Sequence, residues 1–231
     1  AILPRYRQQE MQVLDEGEVA RLLVAAQGSP YATLFRLAVM TGMRLGELMG
    51  LRWADLSWQH GTLHVQRQVQ RVDGQGWQFL EPKTRASRRI VPLSGPMLMA
   101  LRAHQEQQQL QRELKGARWT ENGLIFTNSM GNPLDPSNMR KEFNRVLEFA
   151  GLPRVRFHDL RHTAASLMLN NHVPLIVAAR MLGHQRPSVT LDIYGHLYHD
   201  KQSQAAEILE GLIGPTPVAL PERAEVIIDV E

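Results

Sequence analysis

The chain has 231 residues, 43% of them hydrophobic and 21% charged, with 26 lysines and arginines against 23 acidic residues for a net charge of +3. That length suits one large domain or two small ones around an ordinary core, and so slight a charge excess does not by itself mark a nucleic-acid protein. Cysteine is absent, which excludes disulfides, a thiolate nucleophile and a zinc–thiolate site, and no stretch approaches the roughly 20 apolar residues of a membrane span.

In chain order, residues 1–12 (AILPRYRQQEMQ) read as a linker, and a start at Ala1 without methionine suggests a piece of a longer protein. Asp15 is placed to cap a helix running through Glu18, Leu22, Leu23 and Ala26, and Pro30 opens a second apolar helix that ends near Thr41-Gly42. Arg44 then starts a new helix after the glycine break, where a helix N-terminus adds its own attraction for an anion, and Glu47 one turn on is spaced to orient Arg44. The alternative for this phrase alone is a surface ion pair.

Strand-like runs follow: TLHVQRQV (62–69), WQFL (77–80) after a glycine-rich turn, and RRIVPL (88–93). They predict a small three-stranded antiparallel sheet. Arg67, Arg71, Lys83, Arg85, Arg88 and Arg89 face only Asp73 and Glu81 in this segment, so it is the strongest basic patch and a candidate DNA contact, or else a solvated sheet edge. A long Gln-rich helix (97–115), a connector LIFTN (124–128) and a helix over 136–151 come next. Arg140, Lys141 and Arg145 on the last are candidate backbone-phosphate contacts, or simply an exposed basic face. Helices are also predicted around HDLRH, over 173–184, and over 201–212, ahead of a Gly-Pro-Thr-Pro linker and an acidic tail.

Four phrases carry chemistry: TGMRLGELMGLRW (41–53), EPKTRASRR (81–89), HDLRHTAASLML (158–169) and MLGHQRPSVTLDIYGH (181–196). A planar guanidinium donates two parallel hydrogen bonds to a phosphate and stays charged, so Arg44 and Arg161 together can clamp one phosphodiester. His184 and His158 can add donors where charge grows during in-line displacement. Tyr194 is a candidate nucleophile if cations or a base promote loss of its proton, and the Lys83 ammonium is a candidate acid for the departing oxygen. Tyr198, one turn beyond Tyr194, is open to the same role on geometry alone. Within HDLRH, His158 and His162 also have the four-residue spacing of a zinc pair, but Arg161 would place a positive charge beside the metal and no second motif orders a third ligand.

These phrases resemble the catalytic domain of the tyrosine recombinases, the phage-integrase family, over roughly positions 10–212. Its T-G-x-R-x-x-E-x-x-x-L phrase is matched by Thr41, Gly42, Arg44, Glu47 and Leu51, its hairpin lysine by Lys83, and its H-x-x-R box by His158 and Arg161. Its L-G-H phrase is matched by Leu182, Gly183 and His184, and its closing Y-x-H by Tyr194 and His196. The resemblance selects Tyr194 over Tyr198 and makes Glu47 and His196 supporting residues.

It implies an α+β, mainly α-helical fold with a small three-stranded antiparallel sheet, organised as a linker at 1–12, the catalytic domain at 13–213 and a tail at 214–231 that docks in cis or in trans. It further implies site-specific cleavage and rejoining of DNA through a 3′-phosphotyrosine, with no cofactor and no metal. The implied partners are double-stranded DNA and a homo-oligomer, a tetramer on DNA and a monomer when free, without membrane or small-molecule substrate. The setting implied is the cytoplasm of a bacterium or phage host, and an N-terminal core-binding domain is expected ahead of this segment. A type IB topoisomerase-like relaxation activity and an inert DNA-binding regulator are the alternatives.

Overall fold

A computed structural model describes residues 12–72, 74–82, 87–194 and 201–213. The chain divides into two units, Ala1–Tyr194 and Gly195–Glu231. The second contributes one described helix, α9 (Lys201–Ile213), whose Ile208, Leu209 and Leu212 are exposed.

The first unit is built on α1 (Glu16–Ala25) and α2 (Ala32–Thr41). The Asp15 carboxylate accepts the Glu18 amide at 2.7 Å while Glu18 accepts the Asp15 amide at 2.9 Å, a reciprocal cap that satisfies two donors at the start of α1. Helix α2 is apolar around most of its circumference, and Leu34, Phe35, Leu37, Ala38 and Val39 are all buried, as befits a central helix. Phe35 meets Phe143 edge-on at 5.3 Å, and Phe143 meets Phe157 edge-on at 5.4 Å. This aromatic cluster joins α2 to α5 (Pro136–Phe149) and to the segment ahead of α6 (Asp159–Asn170).

Gly42 ends α2 in the left-handed region, at φ 60°, where a side chain is strained. The chain turns there into the short α3 (Leu45–Met49) and a 3-10 turn at Trp53–Asp55.

The β region departs from the expected single sheet. Strands β1 (Leu56–Ser57), β2 (Thr62–Val65) and β5 (Arg89–Pro92) form one antiparallel sheet in the order β1-β2-β5, with Leu56 opposite Leu63 and Val65 opposite Arg89. Strands β3 (Gln68–Val72) and β4 (Gly76–Leu80) form a separate hairpin, with Val69 opposite Phe79. The run 62–69 thus splits into two strands belonging to different sheets. The physical cause lies at the break: Arg67 pairs with the buried carboxylate of Asp55, and Gln66 donates to the same group at 3.4 Å, so both side chains are drawn toward Asp55 where the ladder would otherwise continue.

Helix α4 (Gly95–Lys115) follows β5, and the expected connector at 124–128 is tied to Arg52 by a single bridge. Helices α6, α7 (Leu175–Leu182) and α8 (Pro187–Tyr194) complete the unit. Among the described residues no helix is long and apolar enough to cross a membrane.

Candidate active site

The site is assembled where the ends of α2, α6 and α7 meet β5 and α8. Arg161 lies on α6, its side chain buried, and its Nη1 donates to the Gly42 carbonyl at 2.7 Å. A Cβ at Gly42 would stand 2.4 Å from Leu182 Cδ2 and 3.3 Å from the Ala164 methyl. The absent side chain at position 42 therefore lets α2, α6 and α7 converge and leaves the carbonyl in place for Arg161.

Glu47 is the buried hub, 2% exposed. One of its oxygens accepts Arg44 Nη1 at 2.9 Å, while the other accepts Arg89 Nη2 at 2.9 Å and the Arg44 amide at 3.1 Å. Burial alone pushes its pKa up, but the hydrogen bonds and charges of Arg89 and Arg44 outweigh that and hold it below the ordinary value. Glu47 thus takes up the Arg44 amide at the head of the five-residue α3. The Arg44 guanidinium remains offered to solvent, with 40% of its side chain exposed.

Arg89, expected on the surface as a DNA contact, is an internal tie instead. Its side chain is 7% exposed, and it donates to the Met181 carbonyl at 2.7 Å, to the Ser87 carbonyl at 3.1 Å and to Glu47. It joins β5 to α3 and to the end of α7. Gly183, at φ 71°, closes α7 so tightly against it that a Cβ there would lie 2.8 Å from Arg89 Nη1.

Beyond Gly183, His184 shares a 2.7 Å hydrogen bond between Nδ1 and the Thr190 hydroxyl. Burial, then the charges of Arg161 and Arg44, pull its pKa down to about 4, so the ring is neutral near pH 7. In the tautomer in which the threonine hydroxyl donates to Nδ1, the ring proton sits on Nε2 and can be offered elsewhere.

Tyr194 is 3% exposed, and its hydroxyl lies 2.6 Å from His162 Nδ1. Burial raises its pKa to about 12, opposed by the Arg161 charge. His158 sits at the start of α6, exposed, with its ring edge-on to that of His162 at 5.6 Å. Burial and Arg161 lower the pKa of His158, and burial and His158 lower that of His162.

One donor in this cluster is unspent. Arg161 Nη2 is buried with no hydrogen-bond partner, a costly state for a cationic donor unless something binds there. Burial and the neighbouring Arg44 pull the Arg161 pKa down to about 10, which still leaves it fully charged at neutral pH. An unspent guanidinium donor, a half-exposed arginine and neutral imidazoles around a phenol form a receptor for a tetrahedral anion.

The sequence profile described as the phage integrase family matches residues 12–201. The chain belongs to that family. It is 34% identical over 214 residues to a tyrosine recombinase XerC-like protein of Caldanaerobacter subterraneus subsp. tengcongensis, covering 88% of this chain and 55% of that one. It is 30% identical to the ICEBs1 integrase of Bacillus subtilis, covering 79% of this chain and 49% of the relative. The chain thus spans about half the length of the curated relatives it matches. Among solved structures, the Tn1549 transposon integrase in complex with transposon right end DNA superposes with a TM-score of 0.76 at 20% identity, covering 91% of this chain and 69% of that one. This likeness shows that the fold is shared.

For this integrase-family chain, the structure brings Arg44, His158, His184 and Tyr194 within electrostatic reach of Arg161. Lys83, Arg85 and His196 lie outside the described residues, as do Tyr198 and the tail. The other basic residues singled out from the sequence scatter. Arg67 is half-buried on Asp55, Arg71 pairs with Asp135 at 3.5 Å, and Arg88 pairs with Glu81. On α5, Arg145 pairs with Glu142 at 2.7 Å, and Arg140 and Lys141 are exposed.

Arg140 also lines a cavity of about 600 Å³ with Arg154, Arg156 and His158, over a floor of Phe143 and Phe157. This cavity adjoins the site and shares His158 with it. Among the described residues no group of three or more His, Asp or Glu side chains is placed to hold a metal ion. Three contributors escaped the sequence reading: Thr190, the internal role of Arg89, and the bond from His162 to Tyr194.

Proposed function

We propose that this chain is the catalytic domain of a site-specific DNA recombinase or integrase, cleaving and rejoining strands through a 3′-phosphotyrosine. The observation that carries this reading is the buried, unpartnered Nη2 of Arg161 set beside Arg44, His184 and the Tyr194 hydroxyl. A phosphodiester seated there takes the Arg161 donor and the exposed guanidinium of Arg44 on its non-bridging oxygens. His184 Nε2–H adds a neutral donor. All three gain strength as the phosphorus becomes five-coordinate and its oxygens more negative, which is how fixed donors lower a barrier.

Tyr194 attacks, the P–O5′ bond breaks, and Lys83 protonates the departing oxygen. His158, exposed beside the clamp, adds a phosphate contact or moves a proton. Glu47 and Arg89 hold the guanidinium cluster in register, and His196 follows the tyrosine as a supporting residue. The new phosphotyrosine ester conserves the energy of the broken one, so the exchange requires neither ATP nor a metal or other cofactor. Double-stranded DNA is the substrate, with Arg140, Lys141 and Arg145 as candidate contacts to its backbone. The Tn1549 integrase structure solved with DNA supports this partner. Assembly as a tetramer on DNA, from a monomer when free, and action in the bacterial cytoplasm belong to the same proposal.

The test is incubation of the protein with duplex DNA nicked beside the cleavage site, in EDTA, followed by a denaturing gel. A protein band shifted by covalently attached DNA is expected, absent in Tyr194→Phe. No shifted band from the wild-type chain would overturn the reading.

A further inference from the structure

We propose that His162, a residue outside the six matched to the recombinase pattern, is the base that takes the Tyr194 proton during strand cleavage; this rests on the strand-transfer reading above. The phenol oxygen lies 2.6 Å from His162 Nδ1, inside the range in which a proton passes directly between heavy atoms. The rings are tilted, with centroids 6.0 Å apart, so the contact is made through the polar edge of the imidazole rather than by stacking. His162 is held on α6 between the buried side chains of Arg161 and Thr163, so the residue that clamps the phosphate and the one that receives the proton are adjacent on one rigid helix.

The groups facing His162 set its charge state. His158 and Asp159 approach from the start of α6, Arg161 from α6 itself, Arg156 from the preceding loop and Tyr194 from α8, with His184 close enough for its own titration to sense His162. Burial and the cations disfavour an imidazolium, and in the Nε2–H tautomer of the neutral ring Nδ1 carries the lone pair that accepts the phenol proton.

The balance changes when a phosphodiester occupies the clamp. Its negative charge screens Arg161 and Arg44, and an imidazolium beside the developing phosphorane becomes favourable. The phenol proton then moves to Nδ1, the Oη–P bond forms, and the P–O5′ electron pair leaves with the 5′ oxygen, which takes a proton from the general acid. In the reverse step the imidazolium returns its proton to the departing phenol, so no co-reactant is consumed. His158 is less suited to this work, because its ring is exposed and the tyrosine hydrogen bond goes to its neighbour.

The experiment is single-turnover cleavage of nicked duplex DNA across pH, with His162→Asn and His162→Gln compared with wild type and His158→Asn. Asparagine can still hold the tyrosine by a hydrogen bond but cannot take its proton. The expected result is a loss of about 10²–10⁴ in the cleavage rate for both His162 variants. The wild-type fall in rate at acid pH should also disappear in these variants and persist in His158→Asn. A substrate with sulfur in place of the bridging 5′ oxygen needs no acid and should leave the defect unrepaired, since the lost step is on the nucleophile side.

Wild-type cleavage with His162 variants of unchanged rate and pH profile overturns the base assignment alone. Repair by the sulfur substrate moves His162 to the leaving-group side and overturns it equally. A wild-type chain that forms no adduct overturns the strand-transfer reading, and the base falls with it. Melting temperatures of the variants within a few degrees of wild type exclude unfolding as the cause.

Discussion

Replacing Arg89 with methionine tests whether the site is organised around a buried ion pair. The side chain of Arg89 is 7% exposed and that of Glu47 2%, and removing one member of so buried a pair costs about 3–5 kcal/mol. Arg44 remains on Glu47 in the variant, and methionine fills part of the vacated volume, so the lower end, about 3 kcal/mol, is expected. For a domain of this size each kcal/mol lowers the melting temperature by roughly 2–4 °C, giving a fall of about 6–12 °C. Arg44→Met is the internal comparison. Its side chain is 40% exposed and screened by water, and its loss costs only about 0–1 kcal/mol. Thermal melts of Arg89→Met, Arg44→Met, Glu47→Gln and the double variant Glu47→Gln/Arg89→Met measure both costs and the coupling between the buried partners, expected at about 1 kcal/mol or more. If Arg89→Met melts no lower than Arg44→Met, or the double variant loses the sum of the two singles, Arg89 is not the internal tie described here.

Tyr194→Phe should abolish covalent DNA adducts while Tyr198→Phe retains them, read on a denaturing gel; the opposite pattern would move the nucleophile. Gly42→Ala places a methyl in the left-handed region, 2.4 Å from Leu182 Cδ2. It should cost about 1–3 kcal/mol in urea denaturation from backbone strain alone, with a further loss of cleavage as the carbonyl that holds Arg161 shifts. Because the folded pKa of Glu47 lies below its ordinary 4.5, its ion pairs contribute stability that is fully present above that pH and is lost as pH falls through the folded value. Wild type should therefore lose melting temperature more steeply than Glu47→Gln below about pH 4.5, and parallel curves would count against the assignment. Glutamine at both Arg140 and Lys141 should reduce the slope of log affinity against log salt by about 2 if both meet phosphates, measured by DNA titration at several ionic strengths.

Local chemistry was legible in the sequence and distant chemistry was not. Asp15 and Glu18 cap α1 three residues apart, Gly42 stops α2, and Glu47 reaches back one turn to Arg44, each within the span of a single turn. Arg89 reads like any other residue of a basic hairpin, because its burial depends on a carbonyl 92 positions away at Met181. The division of 62–69 into two strands depends on Asp55, which lies outside that run and whose claim on Arg67 no periodicity reveals. Thr190 carries no signal in the sequence, because its partner His184 is met only through the turn between α7 and α8. His162 stood in plain view inside HDLRH, yet its spacing from His158 suggested only a zinc pair. The partner that gives it chemistry is 32 residues on.

The charge balance of the cluster explains why three arginines share one carboxylate. Arg44 and Arg89 pair with Glu47 and Arg161 stands within reach of its charge, while His158, His162 and His184 are all held toward their neutral forms, so these groups together carry two uncompensated positive charges at neutral pH. A phosphodiester brings one negative charge, and the five-coordinate species formed as tyrosine attacks brings nearly two. Under the proposed strand transfer the Tyr194 proton stays in the cluster on His162, so the net charge does not change; negative charge instead gathers on oxygens held by fixed guanidinium donors, and that placement favours the transition state over the bound substrate. Without Glu47 the excess would grow, and the arginines would repel one another in the free protein. With a second carboxylate the excess would fall to one, and the attraction for a phosphodiester would weaken. One buried acid among three guanidinia thus limits their mutual repulsion in the free protein while leaving excess positive charge to draw a phosphodiester.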